Sequence, residues 1–173
     1  MQPSGAKAVL LTGVYGSGKT AVAEEIASVL EEQGMAYAAL DLDWLGWFDA
    51  GWDDDAAEHR MMLKNLQDVV GNYLAADIGL FVLALSIETQ PELDAIRAAL
   101  PMPLKVVLLT VPLETIHERL RSDATTGRQV DLHWAGVWLN EGRGVGLEDF
   151  EVPNDRPIRE VAMDVMAQLD WVG

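Results

Sequence analysis

The sequence predicts a three-layer α/β domain in which helices cover both faces of a mostly parallel β-sheet. Short apolar runs that suit buried strands alternate along the chain with segments whose apolar residues recur at helical spacing. Each alternation makes a crossover connection, which joins parallel rather than antiparallel neighbours. The 173 residues suffice for one hydrophobic core, and no repeat or linker divides them. We therefore expect a single domain over residues 1–173.

The first three elements form the clearest part of this pattern. Residues 8–12 are apolar and suit a strand that is buried on both faces. A glycine-rich loop over residues 13–20 follows. Apolar side chains then recur at helical spacing as far as Leu30, and Gly34 occupies the position of a C-cap glycine. A strand, a glycine loop and a helix are expected in that order.

The middle of the chain contributes two further strands. Residues 36–40 form a second short strand that ends at Asp41-Leu42-Asp43, and the uninterrupted apolar run over 80–85 predicts the third. Between them, residues 44–57 look irregular and residues 58–76 show the apolar spacing of a helix.

Prolines mark the boundaries of the next elements. Pro91 opens a helix at a position that tolerates proline, and Pro101 ends it. Residues 104–110 predict the fourth strand, and a helix from Pro112 to Leu120 follows.

The last part of the chain mixes turns with short elements. Residues 121–131 are polar and turn-rich, and a helix is expected over about 132–141. A glycine-rich turn over 142–146 leads to a short strand near 149–152. A closing helix begins near Ile158.

The composition excludes several classes of partner. Asp and Glu outnumber Lys and Arg by 28 to 12, which gives a formal net charge of −16. Such a chain repels nucleic acid backbones and anionic membranes, so neither is expected as a partner. No apolar run approaches the ~20 residues that a bilayer-spanning helix needs, and the N-terminus lacks the apolar core of a signal peptide. The absence of cysteine excludes disulfides and thiolate metal sites, so a cytoplasmic location is the default expectation.

The eight residues after the first strand carry the main functional signal. They match the pattern G-x-x-x-x-G-K-T without a mismatch. The glycines let backbone N–H groups turn inward around an anion, and the N-terminus of the following helix adds its positive end. Lys19 would face the β- and γ-phosphates, and Thr20 would bind Mg²⁺. The alternative, a glycine-rich turn without a ligand, is disfavoured by the strand–loop–helix context. We expect a nucleoside triphosphate to be bound by Gly13, Tyr15, Gly16, Ser17, Gly18, Lys19 and Thr20.

Four segments are expected to meet at the carboxyl ends of the strands, where ligands bind in such sheets: 13–20, 41–43, 86–90 and 154–158. The phosphate loop, the acidic pair that closes the second strand, the arginines after the fourth strand and the chain length together resemble the P-loop small-molecule kinases. This group includes shikimate, gluconate, adenylylsulfate and chloramphenicol kinases. The resemblance implies an adenylate-kinase-type fold with a five-stranded parallel sheet in the order 2-3-1-4-5, Mg-ATP as the donor, and a small lid over about 121–131.

Asp41 and Asp43 are the candidate acids. Two residues apart on a strand, their side chains would point to the same side of the sheet. The resemblance implies that one carboxylate lies near the waters of Mg²⁺ and the other at the acceptor hydroxyl. We assign Asp41 with Thr20 to the metal and Asp43 to the acceptor, as a possible general base. The alternative is a pair of solvated aspartates at a strand end.

Arginines after the fourth strand suit the charge of a transferring phosphoryl group. Arg119 matches the family arginine that lies near adenine or phosphates. Arg128 would be the lid arginine that reaches the γ-phosphate, and Arg121 is the alternative for that role. The catalytic residues are thus expected to be Lys19, Asp43 and Arg128. Each arginine alone has an ordinary surface residue as its alternative.

Two further predictions concern the ends of the site. Arg156 and Pro157 resemble the turn that packs on adenine, although Pro157 is equally typical of a helix start. On the acceptor side, a region over about 43–76, residues 41–58 carry seven carboxylates, three tryptophans and no basic residue. This composition favours a neutral or cationic acceptor over a phosphorylated one. Ordinary packing of these tryptophans and solvated aspartates is the alternative.

The sequence therefore predicts an ATP-dependent phosphotransferase that acts on a hydroxyl of a small, non-phosphorylated molecule with Mg²⁺. Alternatives are an ATP-binding regulatory protein with slow hydrolysis, a nucleotide or nucleoside kinase, and a kinase that has lost activity. The acceptor's identity and the choice between ATP and GTP stay open, and a monomer or a homodimer is expected.

Overall fold

A parallel β-sheet with helices on both faces forms the frame of the protein. The computed structural model describes residues 5–49, 55–121, 136–138 and 141–171. The five strands of its sheet are all parallel, and their spatial order β2-β3-β1-β4-β5 confirms the prediction. The strands are β1 (Lys7–Thr12), β2 (Tyr37–Asp41), β3 (Leu80–Ala84), β4 (Leu104–Thr110) and β5 (Phe150–Pro153).

The helices follow the expected alternation with the strands. They are α1 (Lys19–Glu32), α2 (Asp43–Gly46), α3 (Asp55–Ala75), α4 (Gln90–Ala99), α5 (Leu113–Arg121) and α6 (Ile158–Gln168). Residues 136–138 are helical as well, within the helix that was expected over about 132–141. The rest of that helix, apart from Glu141, lies outside the described residues, and so does the expected lid beyond Arg121.

Two hydrophobic cores lie on opposite faces of the sheet. Successive side chains of a strand point to opposite faces, so neighbouring residues of β1 enter different cores. Leu10 packs in the core that contains Leu66 of α3, whereas Val9 packs with Ile26 of α1 and Val161 of α6. All of these side chains are completely buried. The three-layer arrangement is therefore confirmed.

The segment after β2 differs from the prediction. Pairing of β2 with β3 ends at Asp41, and the buried Leu42 turns the chain into the short helix α2. Asp43 is therefore the first residue of a helix and not part of a strand, so the expectation that strand geometry aligns it with Asp41 is wrong. Residues 44–46 are helical rather than irregular, and α3 begins at Asp55 instead of residue 58.

Because all strands are parallel, their carboxyl ends lie along one edge of the sheet. Gly13 follows β1, Asp41 ends β2, Ser86 lies just beyond β3, and Asn154 follows β5. The fold thereby gathers the four predicted segments at one edge. Within the described part of the chain, no helix combines the length and the apolar character that crossing a bilayer requires.

Candidate functional site

The loop between β1 and α1 has the strained backbone that the glycine pattern predicted. Gly13 has φ of 143°, and a Cβ atom there would lie 2.8 Å from the carbonyl oxygen of Leu109 and from Oγ of Ser17. Gly18 has φ of 89° and directly precedes α1. Side chains are excluded at both positions, so the loop can bring its N–H groups close to an anion.

Lys19 lies under the loop. Its Nζ donates hydrogen bonds to the carbonyl oxygens of Gly13 and Val14, each at 3.1 Å, and lies 5.5 Å from the ring centre of Tyr15. Burial lowers the pKa of Lys19 from its usual value to about 8, although the charges of Asp43 and Asp41 oppose this shift. Its ammonium group is poorly hydrated, and a phosphate group would be a favourable partner for it.

Thr20 and Asp41 form the candidate magnesium site. The hydroxyl of Thr20 donates to Oδ2 of Asp41 at 2.8 Å, and the N–H of Asp43 donates to Oδ1 at 3.1 Å. Hydroxyl and carboxylate oxygens are ligands that Mg²⁺ accepts, usually together with phosphate oxygens and water. Among the described residues, no group of three or more acidic or histidine side chains could hold a metal. Thr20 and Asp41 therefore fit a cation that is shared with bound phosphates.

Asp43 enters the site from the N-terminus of α2. Burial raises the pKa of its carboxyl group, the neighbouring charge of Asp41 raises it further, and Lys19 opposes both effects. A carboxylate with a raised pKa is a better proton acceptor than a solvated one. Asp43 thus lies near Asp41 and Lys19, and α2 rather than a strand supplies it.

Arg119 and Asn154 hold the loop from the opposite side. Arg119 of α5 donates to the carbonyl oxygen of Asn154 at 2.7 Å and to that of Ser17 at 3.4 Å. The amide of Asn154 donates to the same Ser17 carbonyl at 2.6 Å, and the side chain is buried. A Cβ atom on Gly18 would lie 2.5 Å from this amide. Sequence reasoning missed Asn154, whose only signal is its place directly after the last strand.

The other predicted arginines are placed differently. Arg156 forms a salt bridge with Asp164 of α6, and Pro157 is the N-cap residue of that helix. Arg121 ends α5, but its side chain lies outside the described residues, and all of Arg128 does too. The structure thus brings Arg119 to the phosphate loop and gives Arg156 a partner on α6.

The segment after β3 is tied to the phosphate loop. The hydroxyl of Ser86 donates to the carbonyl oxygen of Gly13 at 2.9 Å, and the N–H of Ile87 donates to Oγ1 of Thr12 at 3.1 Å. The sequence placed segment 86–90 at the site, but it did not predict these two bonds, because each joins segments that are distant along the chain. These bonds fix the position of the segment after β3, which forms one wall of the site, relative to the phosphate loop.

A turn near the C-terminus holds the same segment from outside. The guanidinium of Arg143 donates to Glu88 at 2.7 Å and to Glu141 at 2.6 Å. Gly144 packs so closely that a Cβ atom would lie 2.5 Å from the carbonyl oxygen of Ile87. Sequence reasoning did not single out Arg143.

Two cavities meet at the loop. The phosphate-side cavity has a volume of about 580 Å³ and is lined by loop residues with Lys19, Asp41 and Arg119. The acceptor-side cavity has a volume of about 650 Å³ and is lined by residues that include Phe48, Glu58 and Ser86. Tyr15, Asp43 and Trp47 line both cavities.

Comparison with protein-family models gives one match. Residues 5–119 match the family described as adenylylsulphate kinase. The matched residues include the phosphate loop, both candidate acids and Arg119. No curated protein sequence matches the chain.

Solved structures share the fold over nearly the whole chain. The tunicamycin resistance protein of Deinococcus radiodurans superposes with a TM-score of 0.72 and 21% identity, covering 96% of this chain and 97% of that one. The APS kinase of Mycobacterium tuberculosis, in complex with AMPPNP and APS, gives a TM-score of 0.63 and 25% identity over 97% of this chain and 99% of that one. A gluconokinase of Sinorhizobium meliloti gives 0.65 and 21% over 96% and 93%.

Proposed function

The chain belongs to the adenylylsulphate kinase family and is a P-loop small-molecule kinase, and on this premise we propose that it moves the γ-phosphoryl group of Mg-ATP to a hydroxyl of a small, non-phosphorylated molecule. The AMPPNP in the similar M. tuberculosis enzyme supports an adenine nucleotide as the donor. The geometry of the phosphate loop supports a triphosphate in the phosphate-side cavity.

One observation carries the proposal. Asp43 lines both cavities, so a donor in one and an acceptor in the other would approach each other beside this residue. Lys19 lies on the donor side of this junction, and its positive charge attracts the Asp43 carboxylate. A nucleotide-binding module without transfer would need no such second cavity.

The roles follow from the contacts. Lys19 and the loop N–H groups would hold the β- and γ-phosphates, while Thr20 and Asp41 would hold Mg²⁺, which neutralises phosphate charge. Asp43 would accept the proton of the acceptor hydroxyl as its oxygen bonds to the γ-phosphorus. The bond between that phosphorus and the bridging oxygen breaks at the same centre, and ADP leaves with the electron pair.

Other assignments complete the proposal. Arg119 steadies the loop by its bonds to the carbonyls of Ser17 and Asn154. We keep Arg128 as the arginine that reaches the γ-phosphate on closure, with Arg121 as the alternative. Arg156 and Pro157 are kept as the edge of the adenine site, with Arg156 held in place by Asp164.

The test is ATP consumption with a panel of hydroxylated acceptors, for three variants. We expect Lys19→Ala to lose transfer and to bind ATP weakly. We expect Asp43→Asn to reduce kcat by about 100-fold or more while the affinity for ATP changes less than about threefold, because the residue acts on the acceptor. Asp68→Asn, at an exposed position of α3 outside both cavity linings, is the matched control and should behave as wild type.

Two results would contradict the proposal. Slow ATP turnover that no acceptor accelerates would indicate a nucleotide-binding regulator. Loss of ATP affinity alone in Asp43→Asn would mean that the roles of Asp41 and Asp43 are exchanged.

A further inference from the structure

We propose, on the basis of the proposed kinase function, that the acceptor is a hydroxylated amine whose ammonium group is bound by Glu58 and the ring of Trp47 while its hydroxyl lies at Asp43. The proposal specifies the substrate class of the acceptor-side cavity. It goes beyond the family, whose name concerns a different acceptor.

The first observation is the charge of the acceptor-side cavity. Apart from Tyr15, the ionisable residues that line it within the described chain are three carboxylates and a histidine, with neither lysine nor arginine among them: Asp43, Glu58, His59 and Glu92. Glu92 is already engaged, because its carboxylate accepts hydrogen bonds from the N–H groups of Glu88 and Thr89 at the start of α4. Asp43 and Glu58 remain for a ligand. One carboxylate can take the hydroxyl proton and the other can balance a positive charge.

The second observation concerns a cation in a cavity that adjoins the acceptor-side cavity at Tyr15. Arg143 lines a neighbouring cavity with Tyr15 and Glu88, but its guanidinium is paired with both Glu88 and Glu141. Gly144 fixes the turn against the carbonyl of Ile87, which keeps this pairing in place. An anionic acceptor would therefore face carboxylates on one side and an already neutralised arginine on the other. That arrangement disfavours a phosphate, sulfate or carboxylate on the acceptor.

The third observation is a pair of exposed tryptophans at the mouth. Trp47 and Trp44 are 73% and 67% exposed, and their ring centres lie 4.7 Å apart. Trp47 and Tyr15 line both cavities, and Phe48 adds a third ring to the acceptor side. Aromatic faces beside carboxylates are the surroundings that ammonium groups prefer, because the ring face is electron-rich. The cavity volume of about 650 Å³ lies in the range of sites for small organic ligands.

The experiment sorts acceptors by charge on matched scaffolds. ATP-dependent phosphorylation is measured by ³¹P NMR for glucosamine, glucose and glucuronate, and for kanamycin beside its fully N-acetylated form. We expect transfer to amine-bearing members and a large rise of KM on N-acetylation. Transfer confined to neutral or anionic members would overturn this inference and leave the proposed function standing. Transfer to no member of the panel, with ATP still bound, would overturn both.

A variant locates the charge recognition. Glu58→Gln keeps the shape of the side chain and removes its charge, so KM for the amine should rise by about two- to fivefold while kcat and the KM for ATP stay unchanged. Added salt should raise the amine KM of wild type more steeply than that of the variant, which has lost one of the charges that salt screens. Asp68→Asn, which removes an exposed charge from the same helix, should keep both the amine KM and the salt dependence of wild type. An amine KM that is equal in wild type and Glu58→Gln would overturn the assignment.

Discussion

Lys19 shows how a single residue can be poised for a ligand. Its side chain is only 9% exposed, and its Nζ contacts two loop carbonyls that are neutral. Carbonyl dipoles replace the water shell of an ammonium group incompletely, so burial lowers its pKa to about 8. Phosphate oxygens would supply the missing negative charge and would favour the protonated form.

This pKa predicts a pH dependence of ATP binding. Below pH 8, Lys19 carries its proton before ATP binds. Above pH 8, Lys19 of the free protein is deprotonated, so ATP binding takes up a proton. The Kd for ATP therefore rises with pH, by at most about tenfold per pH unit. Titration calorimetry from about pH 7 to about pH 9.5, in buffers of different ionisation enthalpy, measures both effects.

Lys19→Arg is the matched control for this titration, because a guanidinium stays protonated throughout the range. The variant should bind ATP without proton uptake above pH 8, whatever its absolute affinity. A wild-type Kd that does not change between about pH 7 and about pH 9.5 would contradict the proposed contact between Lys19 and phosphate.

Asp43 shows what local sequence could and could not predict at the residue scale. The D-x-D pattern identified a residue that lies beside Asp41 and Lys19 at the junction of the two cavities. The pattern also suggested a strand through Asp43, and this was wrong. The end of β2 depends on Leu42, which turns into the core, and nothing in the neighbouring residues distinguishes that turn from one more strand residue.

Among the elements, the turn over residues 142–146 contacts the acceptor-side wall from outside. Arg143 and Gly144 contact the segment after β3, and that segment reaches the phosphate loop through Ser86. The turn is therefore expected to set the position of the acceptor-side wall. Its effect should be separable from nucleotide binding.

Gly144→Ala tests this role. Its φ is 72°, and the added Cβ would lie 2.5 Å from the carbonyl oxygen of Ile87, so the wall must move. We expect KM for the acceptor to rise by about tenfold or more and the affinity for ATP to change little. Stability should fall by about 1–3 kcal/mol, measured by urea unfolding.

Gly146→Ala separates strain from contact. This glycine has φ of 85°, and an added Cβ would meet no heavy atom within 4 Å. Gly146→Ala should lose stability through backbone strain, as Gly144→Ala does, but leave the acceptor KM near the wild-type value. Equal effects of both variants on KM would refute a specific contact between the turn and the wall.

Elements differ in how well the sequence predicts them. All five strands were found. The central strands β1 and β3 were the clearest, because a parallel strand buried on both faces needs an apolar run. Helix α4 was found from Pro91, and Thr89 and Glu92 form the capping box that begins it. Helix α2 was missed because four residues are too few for helical periodicity to be recognised.

At the scale of the whole molecule, the parallel sheet decides where chemistry can occur. Hydrophobic cores cover both faces of the sheet. The carboxyl ends of its strands bring the phosphate loop, Asp41, Ser86 and Asn154 to one edge. Sequence order predicts this convergence, because the alternation of strands and helices makes neighbouring strands parallel, and the carboxyl ends of parallel strands lie at one edge. The contacts of Asn154 and Arg143 could not be predicted, since each joins residues that are far apart in the chain and belong to no motif.

Because the net charge of the protein is −16, nucleotide binding depends on positive groups that lie within the site itself. The protein as a whole repels a nucleotide, so its attraction must come from Lys19, Arg119 and the backbone N–H groups within a few ångströms. The same acidity favours a cationic molecule on the acceptor side. Donor and acceptor would thus be distinguished by Lys19 and Arg119, which line the phosphate-side cavity but not the acceptor-side one.

The most direct measurement is a crystal structure with Mg²⁺ and a non-hydrolysable ATP analogue. The account predicts β- and γ-phosphates in the loop with Nζ of Lys19 within about 3 Å of their oxygens, the metal at Thr20, and the γ-phosphorus directed into the acceptor-side cavity beside Asp43. A γ-phosphate that points away from this cavity, or that is separated from Asp43 by protein side chains, would contradict phosphoryl transfer at this junction.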